Sequence, residues 1–182
     1  DLSAALCAPL NLVPYGSAQT ECALRNRSLL EESLTERQPQ GVASFEREIG
    51  AVVARWQAGE DTACLSGLVG LGPGSTPAGD DILVGVLAVL TALSQARPAS
   101  ALALARLREG LPEVRLRTHP ASWQMVAAAL DGAFPEPLVE LAAAAGAGPA
   151  KLGEAAARVL SLGATSGPSL LSGFLSGLAA HA

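Results

Sequence analysis

Gly70-Leu71-Gly72-Pro73-Gly74-Ser75-Thr76-Pro77-Ala78-Gly79-Asp80-Asp81 runs directly into Ile82-Leu83-Val84-Gly85-Val86-Leu87-Ala88-Val89-Leu90. Four glycines and two prolines in the first twelve residues cannot form a regular element: glycine favours backbone shapes that other residues avoid, and proline lacks a donor. The apolar residues that follow carry no charge, and Gly85 is their only helix breaker. The pattern predicts a tight loop feeding a buried helix, with Thr76 as N-cap and Pro77 in the first helical position. Such a loop leaves backbone N–H groups free at the positive end of a helix, where anions are favoured. Asp80 and Asp81 fit an anion cradle only if they face a cation, a metal or the N–H donors of a substrate. The plainer alternative is that they complement the helix dipole.

The rest of the 182-residue chain suits this core. It is 49% hydrophobic but only 3% aromatic, and rich in Ala, Leu and Gly. Small side chains at that density suit closely packed helices rather than a β-sandwich. The length predicts one mainly helical domain over residues 1–182. A net charge of −5 without a basic cluster argues against nucleic acid as a partner. Cys7, Cys22 and Cys64 form no CxxC pair and read as free thiols in a reducing compartment. His119 and His181 do not fall at zinc-ligand spacing. The longest apolar run, Ile82 to Leu93, is too short to cross a bilayer. No basic-then-apolar leader opens the chain, which points to the cytoplasm. Asp1 in place of an initiator methionine implies that an N-terminal part precedes it, with residues 1–19 as the tail of that module.

In chain order, Thr20 is expected to cap a helix through about Leu34, and Glu36 to Gly41 to form a polar break. Phe45, Ile49, Val52, Val53 and Trp56 fall on one stripe at helical spacing, ended by Gly59. Asp61 or Thr62 caps a short turn. Pro98 opens a helix closed by Gly110. Glu113 to Arg117 alternates and reads as extended, and Thr118-His119-Pro120 starts another helix, ended by Gly132. A helix around Leu138 to Leu141 is followed by a low-complexity loop over Ala142 to Gly148, and Pro149 opens the next helix.

The end of the chain repeats its middle. Gly167 pairs with Gly79, Ser169 with Asp81 and Gly173 with Gly85 at one constant offset. Ser169, Gly173 and Gly177 form a ridge of small residues. Two pseudo-repeated loop-then-helix units follow, with helices crossing near Gly85 and Gly173 and both glycine loops at one end.

Gly72 to Asp81 resembles the hallmark of the AllH-like family, Gly-x-Gly-Leu-Thr-Pro-Ser-Gly-Asp-Asp before an apolar helix. Arg117-Thr118 with Ser122, Met125 and Gly132 is similar to a second family stretch. Thr165-Ser166-Gly167 through Gly173 is similar to a third. The resemblance covers about Leu65 to Leu178. Ser75 stands where the family has leucine, and Ser169 where an acidic residue is expected. The resemblance implies a subunit of an oxamate carbamoyltransferase, which converts oxalurate and phosphate into oxamate and carbamoyl phosphate in allantoin breakdown. That activity involves three different subunits, so the partners implied are small anions and the other subunits.

On that basis phosphate or a substrate carboxylate sits on the amides of Gly74, Ser75 and Thr76 and of Thr165, Ser166 and Gly167, with Gly72, Gly79 and Thr118 shaping the site. Arg117 supplies the cation, its planar fork matching phosphate or carboxylate. Asp80 and Asp81 accept from a carbamoyl NH2, or hold Mg²⁺ through water. If they share a site without a cation, one has a raised pKa. Two alternatives remain beside this one: a non-catalytic scaffold subunit, and a metal-dependent hydrolase or phosphotransferase using the aspartate pair.

Overall fold

The computed structural model describes residues 10–35 and 44–181. The expected polar break at Glu36 to Gly41, Val42 and Cys7 lie outside them. The described chain is mainly α. Helices α1 (Ser17–Arg25), α2 (Arg27–Thr35) and α3 (Ser44–Gln57) precede a 3-10 turn, Thr62–Leu68. Then come α4 (Ala78–Leu93), α5 (Pro98–Gly110), a second 3-10 turn (Leu111–Arg117) and α6 (Pro120–Leu130). Helices α7 (Glu136–Ala147), α8 (Leu152–Leu160) and α9 (Ser166–Ala179) complete the chain. A minimal antiparallel ribbon pairs Leu10 with Phe134 and Asn11 with Ala133.

Helix α4 is the axis of the molecule. Every residue from Gly79 to Leu93 is buried, as a helix that carries no charge from Ile82 onward requires. It packs along α9, and the contact works because both helices carry glycine at the crossing. A Cβ on Gly85 would lie 2.6 Å from the Phe174 nitrogen, and one on Gly173 would lie 2.7 Å from the Ile82 carbonyl carbon. Further along, Gly177 lies under the Val89 side chain. Gly85 with Gly173 and Val89 with Gly177 share the offset of the sequence repeat, so equivalent positions of the two units meet and the helices run the same way. The repeat extends to the loops. Gly79 packs against the Leu68 carbonyl of the preceding 3-10 turn, and Gly167 against the Val159 and Leu160 carbonyls that end α8. Each buried helix thus starts against the carbonyl end of the element before it.

Several local expectations change. Helix α4 begins at Ala78 with Pro77 as its N-cap, so Thr76 caps nothing and is released to its neighbours. The first helix starts at Ser17, with Gly16 as N-cap, and breaks at Asn26; Thr20 is buried inside it. The Asn26 amide reaches across to the Ala145 carbonyl at 3.0 Å, which holds the break. Asp61 does cap its turn, accepting from the Ala63 N–H at 2.9 Å. Glu113 to Arg117 is 3-10 helical rather than extended. Ala142 to Ala147 is helix rather than loop: Ala142 and Ala145 are core residues, Gly146 lies under the Tyr15 ring, and the Tyr15 hydroxyl donates to the Ala142 carbonyl. Small residues there let α7 approach α1 closely. No helix among the described residues is long and apolar enough to cross a membrane.

Candidate functional site

The two adjacent aspartates at the start of α4 sit in different environments. Asp80 is fully buried and its carboxylate is taken up by protein donors. One oxygen accepts the Gly70 N–H at 2.8 Å. The other accepts the Ser122 hydroxyl at 2.6 Å and the Thr118 hydroxyl. Gly70 adopts a positive φ of 80° and lies directly against the Arg117 carbonyl, so a side chain is excluded there on both counts. Asp80 therefore ties the glycine loop to the start of α6. Thr118, read from sequence as part of a cap-and-proline start, instead donates to Asp80, while His119 is the N-cap of α6.

Asp81 is the opposite case. It is only 1% exposed, yet neither carboxylate oxygen has a hydrogen-bond partner among the described residues. Burial pushes its pKa up to about 7; the nearby Ser166 hydroxyl pulls it down without a formed hydrogen bond, and the Asp80 charge adds a smaller push upward. The expectation of one raised pKa in the pair is met at Asp81. An isolated buried carboxyl is stable mainly as the neutral acid.

The two glycine loops meet above Asp81. Thr76 Oγ1 lies 3.4 Å from Ser166 Oγ, which joins the first loop to the start of α9. The N–H groups of Gly74, Ser75 and Thr76 make no hydrogen bond among the described residues, nor do those of Thr165, Ser166 and Gly167. The N–H of Gly79, by contrast, is used, donating to the Leu71 carbonyl at 2.8 Å. Gly72 and Gly74 hold positive φ angles of 110° and 92° that give the loop its shape, while Gly74 and Ser75 are exposed. A cavity of about 430 Å³ opens beside the loops, with Thr76, Thr165 and Ser169 on its polar side and Phe45, Ile49 and Ile82 as walls. Ser169, the repeat partner of Asp81, thus faces the cavity.

Arg117 is exposed and makes no ion pair among the described residues; its main chain, not its guanidinium, is what the structure brings to the loop. Ser122 was legible only as a member of the second family stretch. Its role as a partner of Asp80 has one sequence signal, its helical spacing of four from Thr118. No group of three or more His, Cys, Asp or Glu among the described residues is placed to hold a metal ion. Asp80 is committed to three protein donors, so of the pair only the Asp81 carboxyl is left to meet Mg²⁺ through water.

No curated protein and no solved structure shows significant similarity to the chain. A family model does match: the one described as oxamate carbamoyltransferase subunit AllH covers residues 68–178, the segment that runs from the first glycine loop to the end of α9. The chain belongs to the AllH family.

Proposed function

We propose that this chain is a substrate-binding and catalytic subunit of an oxamate carbamoyltransferase-like complex, acting with other subunits on oxalurate, phosphate, oxamate and carbamoyl phosphate. The observation that carries the reading is Asp81: a buried acid without a hydrogen-bond partner among the described residues, close to Ser166, whose hydroxyl lies beside Thr76 of the first glycine loop. A carboxyl left unsatisfied in a fold costs stability and is usually retained for chemistry.

In the direction of oxalurate breakdown, a phosphate oxygen bonds to the ureido carbonyl carbon and the bond from that carbon to the oxamyl nitrogen breaks. The departing nitrogen needs a proton. Neutral Asp81 supplies it as general acid and is reprotonated from solvent, a role that contributes roughly 10²–10⁴-fold in comparable cases. The amides of Gly74 to Thr76 and Thr165 to Gly167 carry the phosphate and substrate carboxylate. Asp80 is a positioning residue, with Thr118, Ser122 and Gly70 as its partners. Arg117 supplies a mobile cation from the segment that Asp80 ties to the loop. The unpaired Cys22 and Cys64 support a cytoplasmic setting.

The scaffold reading is favoured by the close helix crossing alone, which needs glycine for packing and not for catalysis. Carbamoyl phosphate formation from oxalurate and phosphate, measured with the complex carrying Asp81→Asn, separates the two. Assembly retained with activity lost supports the catalytic reading; assembly and activity both retained supports the scaffold.

A further inference from the structure

A second cavity, of about 570 Å³, lies at the other end of α4, roughly 15 Å along the helix axis from Asp81 at 1.5 Å per residue. It is bounded by the segment before α1, by α5 and by the turn after α6. We propose that this cleft binds a small zwitterion of the amino-acid type.

Three features point there. Arg108 Nε donates to the Leu130 carbonyl at 2.7 Å, which fixes the guanidinium and leaves its terminal nitrogens without a partner among the described residues. Asp131 lines the same cavity and forms no ion pair with Arg108 or any other described residue. Two opposite charges that line one cavity without pairing with each other complement a ligand that carries both signs. Thr91, which also lines the cavity, is 7% exposed and its hydroxyl has no partner among the described residues, so the site holds an unmet hydrogen-bonding group as well.

The orientation of the ligand follows from the two side-chain charges, and the helix ends favour its ammonium. Helices α4 and α6 both finish at this cleft, and helix C-termini favour a positive group. The ammonium therefore lies toward Asp131 and the carboxylate toward Arg108, whose planar fork suits it. Leu12 and Leu104 supply apolar wall for a short aliphatic side chain. An arginine that closes a helix C-terminus accounts for the Leu130 bond alone. It does not account for the cavity, the lone carboxylate or the buried hydroxyl.

The test is an amide NMR titration of the chain with L-alanine, acetate and ethylamine as probes. Alanine is expected to give saturable shifts at Thr91, Asn11 and Gln95, weakened at least about tenfold by Arg108→Gln and by Asp131→Asn. Acetate and ethylamine, each lacking one charge, are expected to bind at least about tenfold more weakly. Absence of saturable shifts at Thr91, alanine affinity unchanged from the unsubstituted chain in either variant, or acetate binding as tightly as alanine overturns the proposal. Both substituted residues are exposed, and an unchanged spectrum outside the cleft checks that the variants fold.

Discussion

Gly85 and Gly173 face each other across the α4–α9 crossing so closely that neither position has room for a single methyl group. The contact sets the geometry of everything at the loop end, because the two helices start from the loops that meet over Asp81.

Gly173→Ala is therefore expected to destabilise the fold. Helix propensity alone would make that change favourable by roughly 1 kcal/mol, but the new Cβ meets the main chain of Ile82, and backbone cannot give way as a side-chain end can. A net loss of about 1–3 kcal/mol is expected. Gly153→Ala in α8 is the control, since nothing lies within 4 Å of its Cβ position; urea denaturation should find it neutral or stabilising.

Asp80 should tolerate Asn better than Ala. Removal of the carboxyl leaves the Gly70 N–H and the Thr118 and Ser122 hydroxyls without their acceptor, at a cost of about 1–3 kcal/mol for each donor left buried. An asparagine keeps one acceptor oxygen, and hydroxyls can rotate to accept from its NH2. Equal losses in the two variants, read from urea midpoints, would show that the network does not tie the loop to α6.

Asp81 gives the fold a pH dependence of definite sign. Its pKa rises from 3.8 to about 7 on folding, so between those values the folded chain binds more protons than the unfolded one. The contribution is fully present below about 3.8 and is lost as the pH rises toward 7, a change on the order of 4 kcal/mol. Asp81→Asn should flatten this slope and gain stability most clearly above pH 7. Denaturation at pH 5 and pH 8 for both proteins measures it; parallel profiles would contradict it.

Sequence carried the helices whose signals are local and periodic. The stripe from Phe45 to Trp56 and the Pro98 to Gly110 boundaries were legible because period and punctuation agree there. The glycine crossing was legible because equal spacing in two segments implies equivalent contacts. Ala142 to Ala147 misled because alanine carries little hydrophobic pattern, and only Tyr15 and Asn26, more than a hundred residues earlier, reveal that the segment is buried helix. Thr76 directly before Pro77 and Thr118 two residues before Pro120 read as caps because Thr just ahead of Pro is a local cap signal, whereas their observed neighbours, Ser166 and Asp80, are remote in sequence. The aspartates were visible as a pair. That one is saturated with donors and the other left bare depends on which helix each carboxyl faces, and adjacency in sequence says nothing about that.

The carboxyl of Asp81 can be followed directly by carbon-13 NMR titration, with and without oxamate. The account predicts a midpoint near 7 in the free chain and a displaced midpoint when oxamate binds. Titration at the ordinary aspartate value near 3.8, indifferent to oxamate, would contradict it.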